Sequence, residues 1–154
     1  MTSPFRSLAG PASRRRARSV VERSTFVIVE LRGERFALPV ELVERVVRMP
    51  AGLRHVRVAD QDLALIETGS LLGLAPAAGK AAPTRTLIVR DRSHWWALEV
   101  DAVIEVCAVE TATITPCPAD ASGTRRGARV ATFERPGQTI VVLDLLRLLP
   151  DVAS

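Results

Sequence analysis

This chain writes one stretch twice, and that repeat limits what it can fold into more than any other feature. Residues 25–47, TFVIVELRGERFALPVELVERVV, shifted by 60 positions, fall without a gap on residues 85–107, RTLIVRDRSHWWALEVDAVIEVC. Eight positions are identical: Ile28/Ile88, Val29/Val89, Arg32/Arg92, Ala37/Ala97, Leu38/Leu98, Val40/Val100, Val43/Val103 and Val46/Val106. All but the arginine are apolar, and Phe36 stands opposite Trp96. Two structural copies share the residues that fill the same core twice, so the repeat implies an internal duplication. An echo follows each copy. Leu65-Ile66-Glu67 with Leu71-Leu72 matches Val142-Leu143-Asp144 with Leu148-Leu149, and the second copy is 17 residues longer between the shared ends.

Each copy reads as hairpin, helical turn, further strands, carboxylate and short helix. Residues 25–31 and 36–39 form a hairpin over a turn at 32–35, and residues 86–89 and 94–98 repeat it. Val40, Val43, Val46 and Val47 then recur at helical spacing, and residues 101–106 repeat the pattern, so a short helix or turn is expected there. Residues 55–58 alternate as an edge strand, and 63–66 form a strand. A helical turn ended by Gly73 follows. Residues 109–114 read as a strand broken by Pro116-Cys117-Pro118. Residues 129–133 and 138–143 form a hairpin, and 144–149 a short helix with Asp144 as its N-cap. Many short strands without long alternating helices predict a mostly β fold of small barrels or sandwiches. The expected organisation is an Arg-rich disordered tail at 1–24, one unit at 25–80, a junction at 81–84 within the flexible stretch 75–84, and a second unit at 85–150.

Length and composition agree with this. A chain of 154 residues that is 47% hydrophobic can bury one ordinary core or two small ones. Aromatics make up 4% and Tyr is absent, so Val, Leu, Ala and Ile must fill it. No apolar run approaches the roughly 20 residues that span a bilayer. The first residues lack the apolar region of a secretory signal, so the expected location is the cytoplasm. The net charge of +4 belongs to the tail. There, Arg6, Arg14, Arg15, Arg16, Arg18 and Arg23 face Glu22 alone, whereas the rest has 15 basic and 16 acidic residues. A folded domain with a nucleic-acid-binding face would show the opposite distribution. Any contact with nucleic acid or anionic lipid would fall to the tail.

Residues with catalytic or metal-binding chemistry do not converge. His55 and His94 have no partner at a metal-ligand spacing. Cys107 and Cys117 form neither a disulfide framework nor a zinc knuckle, and Cys107, in the place of Val47, is expected in the core. There is no nucleophile elbow. The stretch Ser122-Gly123-Thr124-Arg125-Arg126-Gly127 lacks the Lys-Ser/Thr of a phosphate loop. Glu67 and Asp144 are expected to cap the short helices that follow them. Neighbouring strand residues point to opposite faces, so Trp96 should fill the core like Phe36 and Trp95 should be exposed. The expectation is a protein that is not an enzyme and takes no cofactor and no metal.

The order of these motifs resembles the CheW-like domains of bacterial chemosensory systems. The likeness is carried by GERFALPVELVERVVRMP in the first copy, LALIETGSLLGL after it, WALEVDAVIEV with its Val100-Asp101 pair in the second copy, and IVVLDLLRLL at the end. The resemblance implies two SH3-like five-stranded barrels with short helices. It also implies a non-enzymatic adaptor that links the cytoplasmic tip of a methyl-accepting chemoreceptor to a CheA-type histidine kinase, without membrane insertion. Receptor binding in that family uses a groove between the barrels. The matching positions here are Val43, Arg45 and Val46 in the first copy, with Val103 and Val106 in the second. Two departures stand out. The family's Asn-Leu-Arg-Gly before the Leu63 strand reads Arg57-Val58-Ala59-Asp60 here, and a usual Glu is Arg45. Both point to a divergent member with at least one usual contact weakened.

Overall fold

The structure, a computed structural model, describes residues 21–50, 53–75, 85–117 and 127–149. The first hairpin is β1 (Arg23–Leu31) and β2 (Glu34–Pro39); its repeat is β6 (Arg85–Asp91) and β7 (His94–Val100). Between the two hairpins lie β3 (Val43–Arg48), β4 (His55–Val58), β5 (Gln61–Glu67) and the short helix α1 (Thr68–Leu71). After the second come β8 (Ala102–Glu110), β9 (Thr115–Pro116), β10 (Arg129–Arg135), β11 (Gln138–Leu143) and the short helix α2 (Leu145–Leu148). β1 begins ahead of the expected start, because the Glu22 carbonyl accepts a hydrogen bond from the Thr111 amide at 3.0 Å. Residues 1–20 of the tail, residues 76–84 at the junction and residues 118–126 lie outside the described residues.

The strands form two curled sheets. One has six strands in the order β8-β1-β2-β11-β10-β9, the other five in the order β3-β6-β7-β5-β4. The fold is mostly β, as expected, but each sheet draws on both sequence copies. β3 leaves its own hairpin to pair with β6, and β8 pairs with β1. Hydrogen bonding therefore does not follow the division at residues 81–84. The crossing is physically simple. Pro39 ends β2, having no amide to donate onward, and a 3-10 turn (Val40–Leu42) carries the chain across. At the second crossing the Asp101 amide donates to the Glu30 carbonyl at 2.9 Å, and the Asp101 carboxylate accepts from the Arg32 amide at 2.6 Å. Parallel strands then complete each sheet: Leu65 sits opposite Ala97, and Val142 opposite Ala37. The sequence echo is thus one spatial pairing made twice.

The helical turns expected after each hairpin are mostly strand. Only Val40–Leu42 is helical, and residues 102–110 are extended throughout. A bulge produced the misleading spacing. The register skips Glu44 between β3 and β6, and it skips Ile104, the repeat position of Glu44, between β8 and β1. One inserted residue sets i and i+3 on the same face of a strand. Val43 and Val46 consequently lie opposite Val89 and Leu87, while Val103 and Val106 lie opposite Val29 and Val27. The expected strand at 109–114 is also broken. β8 ends at Glu110, a tight turn (Thr111–Thr113) follows, and β9 has two residues.

Both hairpins are buried on both faces, which explains their unbroken apolar runs. Val27, Val29, Leu31, Phe36 and Leu38 meet Leu87, Val89, Trp96 and Leu98 in a central cluster between the sheets, closed by Leu145, Leu148 and Leu149. The opposite faces fill the sheet interiors. Phe26, Ile28, Ala37, Phe133 and Ile140 fill one, with Phe26 and Phe133 stacked at 5.6 Å, and Val58, Leu65, Ile88 and Ala97 fill the other. Burying each large side chain contributes roughly 1.5–3 kcal/mol. Trp96 takes the core place of Phe36 as expected. Trp95 is not exposed. It is half-buried against the smaller interior, with the Arg90 guanidinium 4.9 Å from its ring centre. Asp144 caps α2 through its carboxylate, which accepts from the amides of Leu146 and Arg147 at 3.0 and 3.4 Å. Glu67 makes no such cap; it pairs loosely with Arg54 at 3.7 Å.

Candidate partner-binding edges and a polar corner

β3 and β8 are the outer strands of their sheets, so each has one side without a strand partner. The five candidate positions lie on them and divide into two kinds. Val43 and Val103 are half-buried and pack on the central cluster. Val46 and Val106 point the same way one bulge further on, yet remain 44% and 60% exposed. Arg45 is exposed beside Val46. A large apolar side chain exposed on an open sheet edge is a feature proteins ordinarily avoid or cover. Here it occurs at the same place in both copies.

A second feature is absent from the sequence reading. Leu31, Arg32, Arg54, Glu67, Thr68, Gly69, Glu99 and Asp101 line a cavity of about 200 Å³ where the two sheets meet. Arg32 organises it. Its Nη1 donates to the carbonyls of Leu74 and Ala75, both at 2.9 Å, tying the β1–β2 turn to the segment after α1. Its guanidinium carbon would lie 2.9 Å from a Cβ at Gly69, so this arginine occupies the space a side chain there would need. Burial pushes the Glu99 carboxyl up from its ordinary value; Arg54 opposes that and Glu67 adds to it. The corresponding corner of the other sheet is apolar, lined by Leu42, Val89, Trp96, Leu145 and Leu146 with Arg90 and Asp91. Leu145 and Leu146 hold the places of Thr68 and Gly69. The identity Arg32/Arg92 and the Val100-Asp101 pair were the available sequence signals for the polar corner.

The remaining candidates stay apart. His55 and His94 are exposed, with His94 stacked on Trp96 at 6.0 Å. Cys107 packs at the margin of the larger sheet interior, and burial pushes its thiol up. Among the described residues no three His, Cys, Asp or Glu side chains are grouped as metal ligands. No described helix is long and apolar enough to cross a membrane.

Two curled sheets that exchange hairpins around a shared core, with repeated apolar edges, define a duplicated β scaffold. The family model described as the CheW-like domain matches residues 25–153, and the chain belongs to that family. Among solved structures, it is similar to the scaffolding protein TtCheW from Thermoanaerobacter tengcongensis. The match has a TM-score of 0.69 at 19% identity and covers 86% of this chain and 97% of that one. No curated protein matches.

Proposed function

We infer that this chain is a non-enzymatic adaptor of a bacterial chemosensory array, acting in the cytoplasm. It holds the cytoplasmic signalling tip of a methyl-accepting chemoreceptor against the β3 and β8 edges, and its coupling to a CheA-type histidine kinase is weakened. The supporting observation is the exposed valine repeated at Val46 and Val106, each beside a half-buried valine seated on the central cluster. Such a pair offers an anchor on a rigid base, which suits an apolar hot spot. The weakened coupling is read from Ala59-Asp60, which replaces an Arg-Gly pair usual in the family; the usual Glu replaced by Arg45 lies on the receptor-facing edge.

The test is a pair of titrations, one against the receptor's signalling tip and one against the kinase's CheW-like regulatory domain. Val46→Asp and Val106→Asp should each weaken receptor binding at least about tenfold with melting unchanged. Val43→Asp should lower stability as well, since its carboxylate would be set against the core. Unaltered receptor binding by the first two variants defeats the reading. Tight binding of the kinase domain removes the weakened-coupling part of it.

A further inference from the structure

Arg45 has a counterpart in the other copy that is treated quite differently. The repeat position is Glu105, whose two carboxylate oxygens each accept from Arg135 Nη2 at 2.9 Å. Arg135 ends β10 opposite Gln138. The corresponding place in the five-stranded sheet is the end of β4 opposite Gln61, and there stands Val58, 3% exposed in the core. The larger sheet thus carries an internal ion pair at its rim. The smaller sheet has lost both members, with the carboxylate replaced by Arg45 and the cation by a buried valine. Among the described residues the Arg45 side chain has no hydrogen bond or ion pair. It projects from an open edge, next to exposed Val46 and three positions before exposed Arg48.

We propose that Arg45 is a specificity-determining residue of the β3 edge, and that the receptor surface bound there sets a carboxylate against it. This rests on the reading of the β3 edge as a receptor-binding surface. The guanidinium fork favours a carboxylate over any neutral acceptor and takes it in two parallel bonds. A partner shaped for a glutamate at this place would bring a cation and be repelled, so the exchange changes the partner as well as the strength. The occupant is an acidic and apolar segment, its apolar group covering Val46 and its carboxylate meeting Arg45. A second copy of this chain is the competing occupant, because β3 also carries Glu44, with Glu41 just before it.

The experiment titrates the full chain with the receptor's signalling tip at about 50 mM and about 500 mM salt, where screening separates charge from apolar contact. Wild type, Arg45→Ala and Arg45→Glu are compared, with sedimentation velocity run on each. The expected result is binding by the wild type that weakens with salt, a loss of about tenfold or more in Arg45→Glu at low salt, a smaller loss in Arg45→Ala, and a salt dependence that is flattened in Arg45→Ala and reversed in Arg45→Glu. Melting should be unchanged, since the side chain is exposed and unpaired. Equal affinity and equal salt dependence in all three overturns the role of Arg45 while leaving receptor binding intact. Failure of the wild type to bind overturns the functional reading and this inference with it. Self-association abolished by Arg45→Glu, with receptor binding unaffected, assigns the edge to a second copy and overturns the receptor assignment.

Discussion

The turn between β4 and β5 sets Ala59 at φ 50° and Asp60 at φ 63°, so both central residues of a two-residue loop are left-handed. For an L-residue other than Gly that conformation costs roughly 1–2 kcal/mol, because Cβ crowds the neighbouring carbonyl. Asp relieves part of this through local hydrogen bonding; Ala has no such means. Ala59 is exposed, so replacing it with Gly forfeits no packing. It does return freedom to the unfolded chain, worth about 0.4–1 kcal/mol. The difference leaves Ala59→Gly more stable by about 0.5–1 kcal/mol, or some 1–4 °C in a domain of this size. Urea unfolding read by Trp fluorescence should show a higher midpoint with an unchanged slope. The same logic reverses at Gly137, which holds the equivalent place to Asp60 in the other sheet at φ +80° with open space around it. Gly137→Ala should lose about 1 kcal/mol. A destabilised Ala59→Gly, or a neutral Gly137→Ala, would show that turn strain does not control these hairpins.

Other outcomes follow from the same structure. Glu105→Gln or Arg135→Ala should each cost about 0.5–1 kcal/mol, because the pair is well formed but half-exposed; a double-mutant cycle should show that coupling fade in high salt. Burial raises the Glu99 carboxyl from 4.5, so the folded state holds its proton more tightly than the unfolded chain does, and stability falls as pH rises from there through the raised value. Glu99→Gln should therefore gain on wild type above that window and not below it in urea titrations across pH; a gain confined to acid would reverse the sign and refute it. Fragments 1–80 and 81–154 should each lack cooperative unfolding and regain it when mixed, because every sheet needs strands from both; a fragment that melts cooperatively alone would contradict the exchange.

The fold class was legible because its signals are local. β-branched runs and two-residue turns act within a few residues of sequence, and the repeat at a 60-residue offset shows the same local signals written twice. The hairpin exchange was not legible. β3 and β8 are copies, with Val43, Val46, Val103 and Val106 at matching places, so either could extend either hairpin. The choice depends on the path across Pro39 and Asp101. The bulges at Glu44 and Ile104 gave strand residues the i, i+3 spacing of a helix, and periodicity alone does not separate the two. Among the candidate site residues, Val43 and Val46 are the same residue type, and only the strand's position at an edge exposes the second. The polar corner collects Arg32, Arg54, Gly69 and Asp101 from four separate segments, and no spacing in the sequence announces it.

Where the copies agree and differ has a physical order. Ile28/Ile88, Val29/Val89, Ala37/Ala97 and Leu38/Leu98 are all buried. Interiors packed to native density tolerate little independent change, and the two copies share one central cluster. The rims are free of that constraint, and there the copies part: Arg45 against Glu105, Val58 against Arg135, a polar corner against an apolar one. A duplicated fold with like anchors at Val46 and Val106 would by itself let a partner bind in either of two senses. Unlike rims remove that degeneracy. A partner whose carboxylate meets Arg45 in one sense would meet the already neutralised Glu105–Arg135 pair in the other, and gain nothing from it. On the proposed reading of Val46 and Val106 as anchors, the divergence that weakens the likeness between the copies would give a bound partner a single direction.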